Sequence, residues 1–365
     1  VNALPSGAPA NADYEALIRL AREVADDLLE RYYGLRIEKA LDLHTRGGFD
    51  LAVAQLSAEL RRHSSAAEAE ALRIALRVLD VDWHRTTAGQ RRDLVARSMA
   101  DAGRATAAVP GQVQAVFGRQ ADRILAATRR DAREHQHLAI SANFNAFDRR
   151  IIHHAANSQT LFVTDEYGRR QEEAGRRARD IVARGLEHGL GNDDISRDLQ
   201  QELEAVLTGR GGSYWDIVAS AFTANSRSYG QMSSYAEAGI QRYQISAVLD
   251  EATTAICRFM DGKVFSVANA LARFEHVERL AAPNDIKAAV PWVREGMDKT
   301  SGRRRLYVAR GEDEVLVAEV VRSGVGQRDD RGEYASARSE HELSALGVTA
   351  PPFHGRCRSS STPLF

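Results

Sequence analysis

The residues best suited to chemistry lie in the last third of the chain. Cys257 and Cys357 are its only two cysteines, and His354 stands three positions before the second, in Pro351-Pro352-Phe353-His354-Gly355-Arg356-Cys357-Arg358. The H-x-x-C spacing lets one short loop present a nitrogen and a sulfur to the same ion. Cys257 could supply a third ligand, and Asp250 or Asp261 a fourth. Such a set would hold one structural zinc. A single closely spaced pair, where a strong zinc signature has two, leaves other readings open. One is two buried thiols beside a packed histidine. Another is a disulfide, if the fold brings the two α-carbons within about 7 Å. A third is a nucleophile (Cys257), a base (His354) and an orienting carboxylate (Asp250 or Asp261), whose residue types suffice but whose geometry the sequence does not fix. The H-x-E and P-C-x-x-C pieces of zinc deaminases are absent.

Around these residues the expected structure is α+β. A helix over about 214–239 ends at Gly239, and a strand-like run, Tyr243 to Leu249, follows. Arg305–Ala309 and Val315–Val320 flank a short polar turn and read as a β-hairpin. Upstream, the chain reads as mostly helix. Apolar residues from Tyr14 to Leu29 recur at steps of three and four, and further helices are expected over about 49–63, 65–83, 87–101, 110–135, 137–157, 171–189 and 193–207. The run Leu161-Phe162-Val163-Thr164 before Asp165-Glu166-Tyr167-Gly168 suggests a short β-hairpin near 161–170. Gly209-Arg210-Gly211-Gly212 is the best linker. The expected organisation is a flexible tail over 1–10, a mainly helical domain over 11–208, and a smaller α+β domain over 213–365.

Composition bounds the function. With 49 Lys+Arg against 50 Asp+Glu the net charge is -1, which gives no support to a dedicated nucleic-acid binder. Two cysteines are too few for a secreted disulfide scaffold. No stretch approaches the roughly 20 apolar residues of a membrane span, and the opening residues do not read as a signal peptide. The expectation is a protein of a reducing cytoplasm, with no membrane partner.

Local basic faces remain. Arg119, Arg123, Arg129, Arg130 and Arg133 lie along one expected helix, and Arg169, Arg170, Arg176, Arg177 and Arg179 begin another. They could meet DNA phosphates, but the neighbouring acids favour a balanced, solvated face. Arg303-Arg304-Arg305 in a Ser-Gly loop is the better candidate for a DNA or partner contact. Tyr214, Trp215, Phe222, Tyr229 and Tyr235, at helical spacing, read as core or interface rather than a base-stacking platform.

The order of pieces in the C-terminal part resembles the Mu protein F-like head-morphogenesis family of tailed phages. The matching residues are Asp250, Thr253 and Cys257, then Asp261-Gly262-Lys263-Val264-Phe265, then Pro351, His354, Cys357 and Arg358. The match covers roughly 170–265 and 350–363, with 266–350 standing as an insertion. Two departures accompany it: family members often carry a cysteine where this chain has Thr254, and another where it has Ser359. The resemblance implies a minor capsid protein in the virion, assembled in the host cytoplasm. It would sit near the portal vertex with other head proteins as partners, and with packaged double-stranded DNA nearby. The alternative is an enzyme or toxin delivered with the particle and built on the Cys257/His354 neighbourhood.

Overall fold

The computed structural model describes residues 41–209 and 211–365; the expected tail over 1–10 and the helix over Tyr14–Leu29 lie outside them. Long helices come first: α1 (Arg46–Leu79), α2 (Ala88–Thr106), α3 (Val109–Glu134), α4 (Ala146–Glu187), α5 (Asn192–Leu207) and α6 (Gly211–Glu237). Side-chain caps start several of them. The Thr87 and Asn145 side chains accept backbone N–H groups at the starts of α2 and α4 in reciprocal capping boxes. Two expected helices, 49–63 and 65–83, are one continuous α1, because Ser64 sits buried inside it and its hydroxyl turns back to the Arg61 carbonyl.

The hairpin expected near 161–170 does not form; those residues are the middle of α4. The β-branched run packs as a helix face, with Val163 fully buried. The Thr160 and Thr164 hydroxyls bond the carbonyls four residues back, and the Tyr167 hydroxyl donates to Glu68 of α1 at 2.6 Å. Tertiary packing outweighs β propensity here. The helix expected from 137 starts only at Ala146, after a loop in which His137 takes a positive φ.

The C-terminal part is α+β. A three-stranded antiparallel sheet has the order β2 (Val264–Ser266), β1 (Arg242–Ser246), β7 (Ser360–Leu364). A four-stranded antiparallel meander runs β3 (Val293–Met297), β4 (Arg304–Arg310), β5 (Asp313–Arg322), β6 (Glu333–Ala335), with the expected hairpin as its centre. Short helix α7 (Ala255–Met260) links β1 to β2 within the first sheet, and α8 (Val267–Val277), α9 (Pro283–Ala289) and α10 (Glu340–Leu346) connect the two sheets. The segment 266–350 therefore carries much more than a hairpin. It is also not a separate lobe: Val293, Leu306, Val308, Val317 and Leu343 share one core with Tyr235, Tyr243, Cys257, Phe265, Phe353 and Cys357.

Residues 42–365 form one compact unit, and α6 begins at Gly211, inside the linker expected at Gly209–Gly212. The reason is α6 itself, which packs against α1, α3 and α4 on one side and α8 and β7 on the other. Its Trp215, Phe222 and Tyr235 are buried, as their helical spacing suggests. Among the described residues no helix is long and apolar enough to cross a membrane.

Candidate metal centre

Two segments a hundred residues apart in sequence build the site. The first is the turn after β1. Thr253 donates to Asp250 Oδ1 at 2.7 Å, and the Ala252 N–H donates to the same oxygen at 3.0 Å, closing a tight loop. Thr254 then caps α7, its hydroxyl accepting the Cys257 N–H at 3.3 Å. This cap aims the Cys257 side chain into the core. The Asp261-Gly262-Lys263 turn follows. Gly262 has φ +81°, a left-handed conformation that only glycine adopts freely, which lets Gly262 N–H reach the Ile245 carbonyl at 2.9 Å. Phe265 is buried beside Tyr243, and the Lys263 amino group rests over the Phe259 ring.

The second segment, 351–358, is seated by backbone bonds: the Val293 N–H donates to the Phe353 carbonyl at 2.9 Å, and Cys357 N–H to the His354 carbonyl at 3.3 Å. Cys257 Sγ lies 3.0 Å from His354 Nε2 and 3.7 Å from Cys357 Sγ. The three donor atoms fall within 4.8 Å of one another. Cys357 is fully buried and Cys257 nearly so.

The electrostatics divide the two thiols. Burial alone would raise the Cys357 pKa. The hydrogen bond from Cys257, the His354 ring and the Phe353 and Ser359 backbone N–H groups outweigh it and pull that pKa down. The hydrogen bond to Cys357, with burial, drives Cys257 the other way. Burial also lowers the pKa of His354, against the pull of the Cys357 sulfur.

A tetrahedral zinc with Zn–S near 2.3 Å and Zn–N near 2.05 Å would separate two sulfurs by about 3.8 Å and a sulfur from a nitrogen by about 3.5 Å. The sulfur pair, at 3.7 Å, already meets that spacing, and the S···N contact of 3.0 Å needs to open slightly. The donor set fits zinc. Cys257, His354 and Cys357 would hold it, and it would supply a cross-link between α7 and the 351–358 loop.

Neither carboxylate joins them. Asp250 is taken by Arg358, which donates to Oδ1 at 2.8 Å, and by Arg46, which pairs with Oδ2. Burial raises its pKa, but these partners and Thr253 prevail and hold it at about 2. Asp261 accepts the Ala247 N–H at 2.9 Å and Arg331 Nε at 2.7 Å. Both expected fourth ligands are thus structural acceptors. The groups that do reach the cluster are hydroxyls. Thr254 Oγ1 lies 3.2 Å from His354 Nε2, and Ser359, whose buried hydroxyl has no hydrogen-bond partner, lines the same cleft as Cys257 and His354. One side of the cluster opens onto a cleft of about 780 Å³ lined by α1, α6 and the 354–359 loop.

One side of α6 holds the second segment in place, and the sequence reading missed it. Arg227, Gln231 and Tyr235 recur every four residues, on one helix face. Arg227 donates to the carbonyls of Arg358 (3.0 Å) and Ser359 (2.7 Å), and Gln231 and Tyr235 both donate to the Ser361 carbonyl. Burial lowers the Arg227 pKa to about 10, still far above neutrality. Arg258 is a second buried tie, donating to the carbonyls of Thr253 and Gln327 at 3.0 and 2.7 Å. The four-residue spacing was the available signal for Arg227, but polar residues at that spacing usually mark a solvated face.

Several of the arginines considered for DNA contact are paired within the molecule. Arg303 pairs with Glu319, Arg304 with Glu295, and Arg305 with Glu314, all along the meander. On the helices, Arg129 is buried between Asp148 and Glu237, and Arg170 between Glu68 and Glu166.

No family model, no curated protein and no solved structure matches this chain.

Proposed function

We propose that the chain is a minor head protein of a tailed phage or prophage, working near the portal vertex, and that Cys257, His354 and Cys357 form a structural zinc lock within it. One observation carries the reading. The pieces that bear the Mu F-like resemblance, 250–265 and 351–358, are far apart in sequence yet meet in one cluster. The two positions that depart from the family pattern, Thr254 and Ser359, border that same cluster. A site built for two more sulfur ligands would place its ligand positions there. The partners are portal and other head proteins. DNA contact is the weaker part of the proposal, because Arg303, Arg304 and Arg305 each face a carboxylate.

A particle-delivered enzyme or toxin has one observation in its favour, the cleft beside Cys257 and His354. Against it, the carboxylates that would orient the histidine are held by arginines, and the thiol facing His354 has a raised pKa. Quantitative mass spectrometry of particles released by prophage induction separates the two. The proposal expects a few copies per particle, fractionating with the portal. Absence from particles, with abundance in the medium, would overturn it in favour of the enzyme.

A further inference from the structure

Away from the cysteines, a second group of metal-type ligands converges at the surface. Asp131 and His135 are four residues apart at the C-terminal end of α3, so carboxylate and imidazole share one face. His44 comes from the turn that precedes α1. Asp42 shapes this turn: its Oδ1 accepts the His44 N–H and its Oδ2 the Thr45 hydroxyl, both at 2.9 Å. Gly48 lets the turn close, since a Cβ there would fall 2.0 Å from the Asp42 carbonyl oxygen.

The result is convergent. His44 Nδ1 lies 2.8 Å and His135 Nδ1 3.2 Å from the same Asp131 Oδ1. All three donor atoms lie within 4.8 Å of one another. Gln136 donates to the other oxygen, Asp131 Oδ2, at 3.0 Å, which orients the carboxylate as outer-shell partners of metal ligands do. Asp131 Oδ1 is itself buried and has no hydrogen-bond partner of good geometry. A helix C-terminus carries partial negative charge and adds to the preference for a cation.

We propose that His44, Asp131 and His135 bind one divalent transition ion of the nickel or zinc type. Two imidazoles and a carboxylate, with no sulfur, select this class over calcium or magnesium. The rings lie face to face, 4.0 Å apart and 10° from parallel, so one must turn for both nitrogens to point at one ion. Each ring is about half exposed (49% and 47%), and rotation about its terminal torsion supplies that turn. The bound ion would fasten the start of α1 to the end of α3. The site shares no residue with the cysteine cluster and does not depend on the head-protein reading.

The test is calorimetric titration of Ni²⁺ into the metal-stripped full chain and into His44→Ala and His135→Ala. Melts without metal check that the variants, altered at half-exposed side chains, remain folded. The wild type should bind one more Ni²⁺ per chain than either variant, or bind it at least about tenfold more tightly. Co²⁺ loading should show nitrogen- and oxygen-ligated cobalt that disappears in His135→Ala, while thiolate-to-cobalt absorption from the cysteine cluster persists. Equal Ni²⁺ binding by the wild type and His135→Ala, or no binding by the wild type, would overturn the proposal.

Discussion

The Arg358 guanidinium donates to Asp250 Oδ1 at 2.8 Å across 108 residues of sequence. This bond joins the loop that leads into Cys257 to the residue that follows Cys357. It is therefore the polar counterpart of the sulfur cluster, and both connect the same two segments.

Replacing Asp250 should loosen that connection. Asp250→Ala leaves Arg358 and the Ala252 N–H without their acceptor, a loss of about 1–3 kcal/mol for a mostly buried charged hydrogen bond. The pH dependence has a definite sign. The folded pKa of about 2 lies below the ordinary carboxylate value, so the stabilisation is complete above about pH 4 and disappears as the pH falls towards about 2. Urea melts from pH 5 to pH 2 should show this decline in the wild type and a shallower one in Asp250→Asn. Parallel curves would contradict it.

Arg227 should matter more than any surface arginine. Arg227→Ala frees the carbonyls of Arg358 and Ser359 inside the core and should cost about 2–4 kcal/mol. Arg303→Ala, at an exposed pair, should cost under about 1 kcal/mol. Thermal melts of the two variants that coincide would remove α6 from the account of the site.

The ion cluster of α3, α4 and α6 makes a similar claim for the helical part. Arg129 and Asp148 are both buried and 2.7 Å apart. Arg129→Ala strands Asp148 without its countercharge and should lose about 3–5 kcal/mol. A denaturant midpoint unchanged from wild type would show that the pair contributes little.

Ser359→Cys should strengthen metal binding. Ser359 lines the cleft beside Cys257 and His354 and its buried hydroxyl lacks a hydrogen-bond partner, so a thiol there can add a ligand. Zinc affinity, measured by competition with a chromophoric chelator, should rise at least about tenfold. An unchanged affinity would mean that position 359 does not face the ion.

The sequence made some of this visible and hid the rest for physical reasons. The H-x-x-C pair was readable because its members share one loop, and the β4–β5 hairpin because its turn is local. Cys257 could be named a partner only because the chain has no other cysteine to offer. Asp250 and Asp261 looked like ligands, since type and position allowed it. What decided their roles was Arg358, Arg46 and Arg331, which tertiary structure alone brings to them. The 161–170 segment failed in the opposite direction: its local preference is for strand, and Glu68 and the surrounding helices reverse it.

The most direct test of the zinc lock is metal analysis of the purified full chain with Cys357→Ser beside it, read by zinc content, Co²⁺ absorption and thermal melting. The account predicts about one tightly held zinc, thiolate-to-cobalt absorption on substitution, and loss of both in the variant together with a lowered melting temperature. A wild-type protein that shows no thiolate-bound metal, and melts at the same temperature as Cys357→Ser, would contradict it.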